Sequence, residues 1–93
     1  MAKLTGNEIQ SALKGVSGWE LDGDAIQKNY SFPGFMDAIG FINQIAELAE
    51  KHNHHPELFN VYNRVTVRYT THDAGGLTKK DFAIATEIDQ LLA

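Results

Sequence analysis

Apolar positions along the chain follow a helical rhythm in some stretches and a two-residue rhythm in others, and each change falls at a turn signal. Thr5-Gly6-Asn7-Glu8 has the form of a capping box, with a threonine oxygen for the first free amides and a glutamate three residues on. Ile9, Ala12 and Leu13 recur at helical spacing until Gly15, which predicts a short first helix. Trp19-Glu20-Leu21 alternates, Asp22-Gly23-Asp24 signals a turn, and Ala25 to Phe32 alternates again through Ile26, Lys28, Tyr30 and Phe32. Two strands joined by an Asp-Gly turn predict a β-hairpin. Pro33-Gly34 stops the second strand. From there Phe35, Ile39, Ile42, Ile45, Ala46 and Ala49 form the stripe of a long amphipathic helix. Asp37 near its start and Lys51 near its end suit the helix dipole. Pro56 closes the pattern by position 55, because the residue before a proline is pushed out of helical geometry.

Extended character returns from Asn60 to Thr71, where Val65, Val67 and Tyr69 alternate with Thr66, Arg68 and Thr70 as in a half-buried strand. A shorter strand over Leu58 to Tyr62 precedes it, with Asn63 near the turn. Asp73-Ala74-Gly75-Gly76 is a loop, and Thr78-Lys79-Lys80-Asp81 is a second capping box. It opens a last helix through Phe82, Ala85, Ile88, Asp89 and Leu92. The order α-β-β-α-β-β-α predicts an α+β fold: a four-stranded antiparallel sheet with three helices packed on one face. No boundary, linker or repeat interrupts residues 1–93, so a single domain is expected.

Composition narrows the function. A hydrophobic share of 43% with 22% charged residues belongs to a chain that folds. At 93 residues the core is thin, and association with copies of itself would add to it. The absence of cysteine excludes disulfides, thiolate metal sites and a thiol nucleophile. Met1-Ala2-Lys3-Leu4-Thr5-Gly6 lacks the apolar run of a signal peptide, and no stretch approaches the ~18 apolar residues of a bilayer span. A cytoplasmic protein without membrane contact is expected. The net charge of −4, with eight scattered basic residues, offers no basic stripe for direct nucleic-acid binding.

The candidate chemistry lies in the histidines. All four fall between His52 and His72, and His52, His54 and His55 are nearly consecutive. Imidazole is the side chain that gives and takes protons near neutrality. If the long helix reaches position 54, Glu50 and His54 share one of its faces. His55, before Pro56, points elsewhere, and strand parity carries His72 to the face opposite Val65 and Val67. A pocket between the helix exit and the strand exit would gather two or three imidazoles around one small ligand. Two chemistries fit. Three histidines can hold a catalytic zinc, although the helical i, i+4 histidine pair common in such sites is absent. Alternatively, several histidines act without metal as general acids and bases.

These residues resemble a known family. The run Glu50-Lys51-His52-Asn53-His54-His55-Pro56-Glu57-Leu58-Phe59-Asn60-Val61-Tyr62-Asn63, then Thr71-His72 and Gly76-Leu77-Thr78-Lys79-Lys80-Asp81, is similar to the pterin-4a-carbinolamine dehydratases. Their signature positions fall here on Glu50, His54, His55, Pro56, Tyr62, His72 and Asp81. The resemblance implies loss of water from a 4a-hydroxytetrahydropterin to give quinonoid dihydropterin, in support of tetrahydropterin recycling. It implies that His54 and His72 protonate the departing hydroxyl, while His55 positions the ligand and acts as a base. Glu50 would orient His54, and Pro56, Thr71 and the backbone near Asp73 would line the pterin pocket. It implies no metal and no organic cofactor, and assembly into dimers or tetramers with sheets joined across subunits.

Supporting residues have plainer roles beside these. Asp81 at the third helical position is first a cap. Phe59 and Tyr62 read as core aromatics. His52 reads as a solvated helix-end residue. Leu58 and Asn53 depart from the Trp and Asp usual in animal members of the family. A second function on the same fold is a non-catalytic dimerisation or regulatory module, which has no need of all three imidazoles.

Overall fold

The computed structural model describes residues 2–92. Helix α1 spans Gly6–Leu13, capped by Thr5 and Glu8 as the capping box requires. Strands β1 (Glu20–Asp22) and β2 (Ala25–Ser31) form the hairpin, with Gly23 supplying the positive φ of its turn. Helix α2 spans Phe35–His52, strands β3 (Glu57–Val61) and β4 (Arg64–Tyr69) follow, and α3 spans Lys79–Gln90. The four strands are antiparallel in the order β1-β2-β4-β3, so β2 and β4 are central while β1 and β3 are edges. This is the α+β arrangement that the order of elements predicts.

The sheet turns Ile26, Tyr30, Val65, Val67 and Tyr69 toward the helices, where they meet Ala38, Phe41, Ile45, Phe82, Ile84 and Ile88. Helix α1 contributes only the half-buried Ile9, Ala12 and Leu13. The buried stripe of α2 is Ala38, Phe41, Ile45 and Ala49, which corrects the stripe expected from sequence. Phe35 and Ala46 lie outside it, exposed, because apolar residues run more than halfway around this helix and periodicity cannot say which arc meets the sheet. Phe59 and Tyr62 are also not core residues. Phe59, 66% exposed, pairs in register with Thr66 on the open side of the sheet, and Tyr62, 64% exposed, occupies the β3–β4 turn with a left-handed φ of 51°.

Asp89 near the end of α3 fixes that helix to the hairpin. Its carboxylate accepts from Trp19 Nε1 at 3.1 Å, Lys28 Nζ at 2.8 Å and Tyr30 Oη at 2.8 Å. Burial, and then the bond to Asp89, push the Tyr30 phenol far above its ordinary pKa. With its far end held, α3 presents its first turn, and Asp81, to the end of α2.

Candidate active site

The site is built where α2 ends and β4 leaves the sheet. Helix α2 stops in a Schellman motif: Asn53 is left-handed at φ 47°, its N–H donates to Glu50 O at 3.2 Å, and His54 N–H donates to Ala49 O at 2.9 Å. Because the helix ends at His52, Glu50 and His54 do not share a helical face. Glu50 instead meets His55, with Nε2 to Oε2 at 2.5 Å, which corrects the pairing expected from a longer helix. His54, only 8% exposed, takes its carboxylate from the fully buried Asp81, with Nε2 to Oδ1 at 2.6 Å. Its ring lies on Tyr69, 4.9 Å between centroids, and its carbonyl accepts from Tyr69 Oη at 3.1 Å. Burial, and after it the charge of Asp81, hold the Tyr69 phenol well above its ordinary pKa. That phenol therefore stays a donor.

His72 arrives by a different route from the strand parity expected. Strand β4 ends at Tyr69, and Thr71 pairs with Gly76 across a small closed loop. Within it His72–Ala74 make a 3₁₀ turn that ends at the left-handed Gly75. His72 and Asp73 thus sit exposed at the lip of the loop. A cleft of about 240 Å³ lies between the loop and the end of α2, lined among others by His54, His55, Thr71, His72, Asp73 and Lys80. Three of the four histidines face this one space. Pro56 is half-buried beside it and is not among its lining residues. His52 is not a solvated residue: it is half-buried beside Glu87 of α3.

Asp81 joins two tasks. Oδ2 accepts from Thr78 N–H at 2.9 Å, closing the second capping box, and from Thr71 Oγ1 at 2.8 Å, while Oδ1 faces His54. Asn53 and Lys80 also line the cleft, and sequence reasoning gave neither of them a place in the site. Asn53 carried a signal, since asparagine commonly takes the left-handed position after a helix. Lys80 was legible only as part of a helix start. Larger concavities lie on the open sheet face, around Phe59, Arg64 and Thr66 and around Gln27, Leu58 and Arg68, and between α1 and α3, around Leu4 and Phe82. None of the three contains a histidine, so the smaller cleft is where the imidazoles are concentrated. Among the described residues, no three histidine or acidic side chains converge as a metal site would require.

A profile of the family described as pterin 4 alpha carbinolamine dehydratase matches residues 2–91. The chain belongs to that family. A protein of Solibacter usitatus that carries the family's name is 50% identical over 91 residues, covering 98% of this chain and 96% of its own length. Another from Sulfurisphaera tokodaii is 45% identical over 92 residues, with 99% of each chain covered. The crystal structure of a transcriptional coactivator/pterin dehydratase from Brucella melitensis superposes with a TM-score of 0.93 at 41% identity, over 98% of this chain and 99% of that one. A pterin dehydratase-like RuBisCO assembly factor of the alpha-carboxysome shares the fold at a TM-score of 0.64 and 19% identity, over 78% and 84% of the two chains.

Proposed function

We propose that this dehydratase-family chain removes water from a 4a-hydroxytetrahydropterin by histidine general acid–base catalysis, in support of tetrahydropterin recycling in the cytoplasm. The observation that carries this reading is the meeting of His54, His55 and His72 on one small cleft, two of them backed by carboxylates. A carbinolamine bears its hydroxyl on a carbon next to an amine nitrogen. Protonation of the hydroxyl by His54 or His72 lets the C–O bond break, the nitrogen lone pair forms the new C=N bond, and water leaves. The nitrogen then gives its proton to a base, for which His55 with Glu50 behind it is suited. Asp81 takes the part the sequence reading gave to Glu50, orienting His54. Asp73 lies on the cleft wall as a substrate-facing residue, and Thr71 forms part of the same wall. No metal or organic cofactor takes part in this scheme.

We also propose that the protein works as a homodimer or homotetramer through β3. That edge strand leaves Leu58, Phe59 and Val61 exposed, and Tyr62 follows in the turn. An apolar, unpaired strand edge invites pairing with another copy.

Stopped-flow absorbance of freshly generated 4a-hydroxytetrahydropterin tests the enzymatic reading, with and without protein and after chelator treatment. Faster appearance of the quinonoid product, unchanged by chelator, is the expected result. Loss of the acceleration on chelation would point to a metal-dependent enzyme. No acceleration at micromolar protein would sink the enzymatic reading in favour of a non-catalytic dimerisation or regulatory module.

A further inference from the structure

Asp81 is wholly buried, yet three donors reach it, and one of them is a side chain whose only proton is thereby committed. Thr71 Oγ1 lies 2.8 Å from Asp81 Oδ2 and 2.9 Å from Thr78 Oγ1. A hydroxyl has one proton to give and can accept as well. A carboxylate among donors only accepts, so the Thr71 proton goes to Asp81. Thr78 must then donate to Thr71, and Thr78 in turn accepts from the backbone N–H of Lys80 at 3.2 Å. The chain runs one way: Lys80 N–H to Thr78, Thr78 to Thr71, Thr71 to Asp81.

Its end point is His54. With Oδ2 held by Thr71 and by Thr78 N–H, the carboxylate cannot turn, and Oδ1 stays on His54 Nε2. An acceptor at that distance requires the proton on Nε2, so the neutral ring carries its lone pair on Nδ1. Among the described residues Nδ1 bonds to nothing, and His54 lines the cleft. We propose that Thr71 is a positioning residue: its hydroxyl fixes Asp81 and thereby holds neutral His54 as the Nε2–H tautomer, with Nδ1 as the nitrogen that exchanges protons with substrate. The part concerning substrate rests on the dehydratase reading above. The inference changes what Thr71 does, since its proton is spent inside the wall of the cleft rather than on a ligand.

Thr71→Val keeps the shape of the side chain and removes the hydroxyl, whereas Thr71→Ser keeps the hydroxyl. The first measurement is long-range ¹H–¹⁵N NMR of the His54 ring in substrate-free protein. Wild type and Thr71→Ser should show the Nε2–H pattern, and Thr71→Val a mixture of tautomers. In turnover, Thr71→Val should lower kcat roughly tenfold with KM within about twofold, and Thr71→Ser should stay within about twofold of wild type, the scale of one hydrogen bond to a charged group. An Nδ1–H ring in the wild-type protein overturns the proposal whatever the variants do, including a Thr71→Val that does not fold. So does a folded Thr71→Val with wild-type tautomer and rate, or a Thr71→Ser as impaired as the valine variant. A tautomer that depends on the Thr71 hydroxyl in a protein that dehydrates nothing would leave the positioning of His54 standing and remove the dehydratase reading alone.

Discussion

His54 and His55 are neighbours in the chain, yet their rings are held by carboxylates of opposite character. Asp81 is fully buried and comes from α3, whereas Glu50 is exposed and comes from the preceding turn of α2. An exposed pair of this kind contributes about 0–1 kcal/mol to stability. A buried acceptor that loses its donor costs about 1–3 kcal/mol. The variants should therefore separate. His72→Ala, at the exposed lip of the loop, should lose dehydration rate while its unfolding free energy stays within about 0.5 kcal/mol of wild type. His54→Ala should lose rate and also about 1–3 kcal/mol, because Asp81 is left short of a partner and the Tyr69 ring loses its cover. Urea titration beside stopped-flow rates checks both. Equal stability losses would mean that the burial difference does not govern the site. At this scale the candidate residues were legible, because histidine, aspartate and glutamate announce their chemistry. Their partners were not: pairing depends on where α2 ends, to within a single residue.

That ending belongs to the element scale. The rhythm of apolar residues predicted α1, the β1–β2 hairpin and both capping boxes, since caps and Asp-Gly turns are local signals. Proline at 56 limited α2 but could not tell position 52 from position 54. The left-handed Asn53 decides it, sending His54 toward Tyr69 and Asp81 and leaving His55 to Glu50. The 3₁₀ turn at His72 was hidden for a related reason. The alternation of Thr66, Arg68 and Thr70 extrapolates to His72, beyond the end of β4 and the point where Thr71 and Gly76 close the loop. If Asn53 sets the direction of both rings, Asn53→Gly should preserve activity, since glycine takes positive φ freely. Asn53→Val should cost about 1–2 kcal/mol and reduce kcat, because a β-branched residue is penalised there. Full activity in Asn53→Val would show that Asp81 and Tyr69 place His54 without help from the helix end.

For the molecule as a whole, the sheet order leaves β3 as an edge that begins directly after Pro56. The order of elements was enough to foresee the α+β layers, but not which arc of α2 would face the sheet or that Phe59 would lie on its open side. Those depend on register, which follows from packing between distant segments. If copies of the chain join through β3, light scattering over a dilution series should report a dimer or tetramer. Phe59→Lys with Val61→Lys should shift it toward monomer while leaving the circular dichroism spectrum in place. A wild-type protein that stays monomeric throughout the series would remove β3 as an assembly edge.

The attachment of α3 at both ends has an optical consequence. Trp19, the chain's only tryptophan, donates to Asp89 at one end of α3, while Asp81 at the other end receives His54. The indole is thus an intrinsic fluorophore whose surroundings change as the last helix settles, although it lies just before the hairpin and not in the cleft. Its emission during refolding reports when the buried imidazole–carboxylate pair becomes able to close, with no label placed near the histidines.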